Sequence, residues 1–92
     1  MNTFPMILDG SKFSWHANGV SVCDGIGRAD DHPGFPKSGR APKQVAVRSH
    51  KTGWIVVFDF VDIGVDDDGS VALNYGGTLP DGRHCALSLA AD

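Results

Sequence analysis

Apolar and polar residues alternate with a period of two along most of the chain, the signature of strands with one covered face. In "KFSWH", Phe13 and Trp15 alternate with Lys12, Ser14 and His16; in "VSVC", Val20 and Val22 alternate with Ser21 and Cys23. Between them "HANGV" supplies Asn18-Gly19, a pair suited to the two positive φ angles of a type I′ turn, which predicts a hairpin of 12–16 with 20–23. The preceding "FPMIL" reads as an edge strand, because Pro5 cannot donate to a ladder.

A second unit starts at "KQVAVRS", with Val45 and Val47 on one face. "SHKTGW" turns the chain, Gly53 taking the left-handed position. The run "WIVVFDFVDI" is apolar at nearly every position and is therefore expected to be the central strand, covered on both faces over part of its length. Asp68-Gly69 marks the next hairpin, "VALNY" a strand with Val71, Leu73 and Tyr75 inward, and Pro80-Asp81-Gly82 a further turn. The last strand, "CALSLA", places Cys85, Leu87 and Leu89 together. Trp15, Val22, Val47, Phe58, Leu73 and Leu87 should form the core.

No stretch of ten residues carries a helical period. Six to seven short strands predict a single all-β domain over 1–92, built as a small antiparallel sandwich or partly open barrel. One long basic loop, 24–42, divides the two units, and a connection of that length needs a reason to exist.

Composition agrees with this picture. All eleven acidic residues are Asp and twelve of the 92 residues are Gly, both poor helix formers. A hydrophobic fraction of 41% against 21% charged residues predicts a folded chain. "MNTFPMILDG" has neither a basic leader nor a long apolar run, and no run reaches membrane-spanning length, so the expected setting is cytoplasmic, with no membrane partner. The net charge of −3 is small, but Arg28, Lys37, Arg40, Lys43, Arg48 and Lys51 fall in one stretch, while seven of the Asp residues follow Phe58.

Candidate chemistry fails at specific residues. "GFPKSGRA" spaces Gly34 and Gly39 like a phosphate loop, but Arg40 and Ala41 stand where lysine and a hydroxyl are needed, and "APKQVAV" leads into a strand. "DIGVDDDGSVALNY" offers Asp66 and Asp68 to calcium, yet has Gly64 and Tyr75 at the first and last ligand positions, so it reads as a solvated hairpin tip. Cys23, Cys85, His16 and His84 lack zinc-site spacing, and the cysteines read as small buried residues. No nucleophile motif accompanies the serines, cysteines or histidines, and each histidine reads as a surface or turn residue. The chain is therefore expected to be no enzyme and to need no cofactor or metal.

What remains is binding. Phe35, Lys37 and Arg40 on a stiff proline-containing loop form an aromatic and arginine grouping suited to a protein interface, and with Lys43, Arg48, Lys51 and Trp54 they make up the candidate binding residues. The expected function is stoichiometric protein–protein interaction, as a small accessory or inhibitor protein of phage or mobile-element type. Exposed edges offer a second route, pairing into a homodimer. The alternative is a barrel that binds single-stranded nucleic acid through the basic segment 28–51.

Overall fold

The computed structural model describes residues 6–16, 24–35 and 41–91. Seven strands form one sheet: β1 (Met6–Asp9), β2 (Ser14–Trp15), β3 (Gly25–Arg28), β4 (Gln44–Arg48), β5 (Ile55–Val65), β6 (Val71–Thr78) and β7 (His84–Ala90). Their spatial order, β1-β4-β5-β6-β7-β3-β2, curls into an open half-barrel. Strands β4 to β7 form an antiparallel meander, as the turn chemistry predicts. Gly53, Gly69 and Gly82 all have positive φ, at 77°, 86° and 93°. Asp68 Oδ1 accepts from Ser70 N–H at 2.9 Å, closing the β5–β6 turn.

The sheet is mixed rather than antiparallel, because β1 runs parallel to β4 and β3 parallel to β7. Hairpin grammar reports only neighbours joined by a short turn. It is silent on the direction of strands paired across a long crossover.

The segment 24–42 is the second correction. It holds β3 and a 3-10 helix at Ala29–Asp31, and it pairs Ile26 with Ser14 and Gly25 with Trp15. The glycines that disguise "GIGR" as a loop are what the strand requires. A Cβ on Gly27 would sit 2.5 Å from Cδ1 of Phe13, and one on Gly25 would sit 2.5 Å from Cζ3 of Trp15. The two rings lie over bare backbone and supply the burial that the glycine side chains lack. The expected 20–23 strand, with Val22, and the Asn18-Gly19 turn lie outside the described residues.

Inside the half-barrel, Val45, Val47, Phe58, Leu73, Tyr75, Leu87 and Leu89 are buried, together with Leu8, Phe13 and Phe35. Trp15 is half-buried at the rim, its indole N–H donating to the Gly10 carbonyl at 2.8 Å. Tyr75 Oη donates to the Pro42 carbonyl at 2.9 Å and so ties the approach to β4 onto the core. His32 is also buried, at 5% exposure, contrary to its expected surface position.

The outer strands β1 and β2 are at opposite ends of the strand order yet adjacent in sequence, joined through a 3-10 helix at Gly10–Lys12. Five residue steps span at most about 18 Å, so the two edges are held near one another at that end. Gly10 packs against the Arg48 carbonyl so closely that a Cβ there would collide with backbone.

Candidate interaction surface

Strand β5 positions the surface. Its inward residues Val56 and Phe58 are buried, but Ile55 and Val57 on the other face are exposed, so the expected two-sided cover is absent. One sheet curled on itself has a single interior, and the apolar run here is half core and half surface. Register aligns Ile7 of β1, Ala46 of β4 and Val57 of β5 in one cross-strand row. Ile55 lies two residues before Val57 on the same face, and Trp54 follows the β4–β5 turn, where its carbonyl accepts from Ser49 N–H at 2.8 Å. Ile7, Trp54, Ile55 and Val57 are all exposed, while Ala46 between its larger neighbours is only 2% exposed. Ile7, Ile55 and Val57 share one sheet face and form one patch, and Trp54 precedes it at the end of the turn.

Charge frames this patch with both signs. Arg48 pairs in register with Asp9 on one side and Ile55 on the other. Asp59 faces Gln44, whose Nε2 donates to Asp59 Oδ1 at 2.7 Å. Two hydrogen bonds from Ser11, backbone N–H first and hydroxyl second, hold the Asp9 carboxyl below its usual range, with smaller help from Lys12 and His50. Asp9 is therefore an anion beside Arg48 throughout the neutral range.

The candidate residues from the sequence divide. Phe35 is 4% exposed and belongs to the core, where its ring cannot meet a partner. Its proline-rich neighbourhood resembles a solvated loop, but the chain turns inward at this residue, and Phe35 N–H donates to the His32 carbonyl at 3.0 Å. Lys37 and Arg40 lie outside the described residues. Lys43 and Arg48 bracket β4 at opposite ends, about 17 Å apart at strand rise. Lys51 lies in the turn that follows β4, its N–H donating to Ser49 Oγ at 3.3 Å. Arg48, Lys51 and Trp54 therefore collect around one turn, and Lys43 does not join them.

Sequence reasoning missed Ile7, Ile55 and Val57. The available signal was the run "WIVVFDFVDI" itself, which has more apolar residues than a single-layered sheet can cover. Next to the patch, a cleft of about 510 Å³ opens where Gly76 and Gly77 interrupt the side chains between Val57, Asp59 and His84. Cys85 is buried beneath it, and Cys23 lies outside the described residues. Among the described residues no three His, Cys or Asp side chains converge, and no helix is long and apolar enough to cross a membrane. No protein-family model matches the chain, nor does any curated protein or solved structure.

Proposed function

We propose that the protein is a non-catalytic binding module that acts by stoichiometric association with another protein. The observation that supports this reading is the cross-strand row in which exposed Ile7 and Val57 flank the covered Ala46, extended by exposed Ile55 on the same face. Isolated apolar residues on a surface need no explanation, whereas a contiguous set on one rigid face does. The residues lie on strands rather than on mobile loops, so docking there costs little ordering entropy. Arg48, Asp9 and Asp59 at its margin suit a partner with an apolar centre and a mixed-charge rim. An accessory or inhibitor protein of phage or mobile-element type, working in the cytoplasm, fits a small chain with such a face. The alternating charges, with Lys43 and Arg48 at opposite ends of β4, argue against a phosphate-tracking groove.

Val57→Lys and Ile7→Lys test the surface, with Asp67→Lys at the exposed β5–β6 turn as a control. The partner that co-purifies stoichiometrically with the native chain from its host should be lost from both face variants and kept by the control, with unchanged circular dichroism in all three. Retention by both face variants would refute the assignment of this face.

A further inference from the structure

The long strand β5 outruns its neighbour. Register with β4 covers Ile55 to Asp59, and the last rung on that side is Phe60 N–H donating to the Lys43 carbonyl at 2.9 Å. Register with β6 slips at Phe60/Asp62 and continues to Val65. Residues 61–65 therefore have a neighbour on the β6 side, and no described strand on the other. On this same run stand the three most exposed large apolar residues among those described: Val65 at 69%, Val61 at 64% and Ile63 at 53%. Natural edges are usually guarded by charge, by Pro or by brevity. Here the one charge, Asp62, is turned along the sheet, accepting from Asn74 Nδ2 at 2.9 Å.

We infer that this free edge is a homodimer interface, formed by antiparallel pairing of 61–65 with the same segment of a second copy. The sequence specifies both the occupant and the register. Antiparallel partners share a face, so a two-fold axis between identical strands must pass through a residue position. An axis at Asp62 sets two carboxylates against each other, and one at Gly64 sets Asp62 against Asp66. An axis at Ile63 sets Ile63 against its own copy and Asp62 against Gly64, with no acid facing an acid. The segment is thus self-complementary in one arrangement, which joins two seven-stranded sheets into one and sets the Ile63 side chains of the two copies side by side. This interface is separate from the partner face around Val57.

Sedimentation equilibrium on the full chain tests the proposal. The native protein should be a dimer, and Ile63→Lys and Val65→Lys, both at exposed positions, should be monomers with unchanged circular dichroism. Register is tested at Gly64, where an added Cβ meets the flexible Asn74 amide at 3.2 Å and the Ala72 carbonyl oxygen at an ordinary contact distance of 3.9 Å. Gly64→Asp should weaken the dimer at least about tenfold by facing Asp62 with a like charge, whereas Gly64→Lys should preserve or tighten it. A monomeric native protein, or a dimer unaffected by Ile63→Lys, overturns the interface; equal effects of Asp and Lys at position 64 overturn the register. Val57→Lys should leave the dimer intact, and Ile63→Lys should leave partner capture intact, so the two surfaces fail separately.

Discussion

The ring of Phe13 stacks on the imidazole of His32, with centroids 4.8 Å apart and planes 24° from parallel. The imidazole is buried, and its Nε2 has no hydrogen-bond partner among the described residues. Burial holds its pKa below 6.5; Asp31 and Asp9 oppose the shift, and Lys12 adds to it.

Stability should therefore fall on acidification in a window set by His32. Below 6.5 the unfolded imidazole binds a proton that the folded one still refuses, so the unfolded state is favoured as pH drops, until the lower folded pKa is reached. Denaturation midpoints measured between about pH 7.5 and pH 5 should slope downward in the native protein and flatten in His32→Phe. Equal slopes would show that His32 is not the group responsible.

Gly27→Ala should destabilise by about 1–3 kcal/mol, the usual range for overpacking a filled site. The Phe13 ring has little room to retreat, since it packs against two further rings, Trp15 at 5.4 Å and His32 at 4.8 Å between centroids. Urea unfolding of Gly27→Ala, alone and combined with Phe13→Leu, gives the check. The second change should recover part of the loss, because the shorter side chain vacates the space that the new methyl needs.

Phe35 separates two readings of one residue. A loop anchor would tolerate Phe35→Ala, whereas the core position predicts a loss of about 3–5 kcal/mol, the usual cost of truncating a buried phenylalanine. A thermal melt that leaves the midpoint unchanged would return the side chain to the surface.

The chain has a single tyrosine, so its ionisation can be read directly by ultraviolet absorbance. Burial pushes the Tyr75 hydroxyl up from 10.0 to about 12. The folded form keeps its proton where the unfolded form has lost it, so stability should decline as pH rises through that interval. Tyr75→Phe should remove this alkaline dependence while costing about 1 kcal/mol at neutral pH for the lost bond to Pro42. A tyrosinate signal with an unshifted midpoint in the folded protein would place the hydroxyl in solvent.

The meander β4 to β7 was legible because its information is local: alternation selects Val45, Val47, Leu73, Leu87 and Leu89, and the Gly53, Gly69 and Gly82 turns announce the reversals. The strand at Gly25–Arg28 was illegible because its burial is borrowed from Phe13 and Trp15, which precede it by about a dozen residues. Phe35 was misread for a related reason, since proline and charge around it describe the chain's neighbours in sequence and not those in space. The exposed apolar face was hidden by a different ambiguity. A continuous apolar strand looks the same whether its second face meets another layer or meets solvent, and only the count of layers, seen at Ile55 and Val57, distinguishes the two.

Because β1 pairs with β4, and β3 with β7, the N-terminal third of the chain frames both margins of a sheet whose middle is made last. During synthesis, β2 and β3 have only each other to pair with when they leave the ribosome; β1 must wait for β4, and the second side of β3 for Leu87 to Ala90 at the other end of the sequence. Contacts of such long sequence separation slow folding. The meander can assemble through its own hairpins, so the order of folding should run opposite to the order of translation: the last-made strands form the template, and the first-made ones dock onto it.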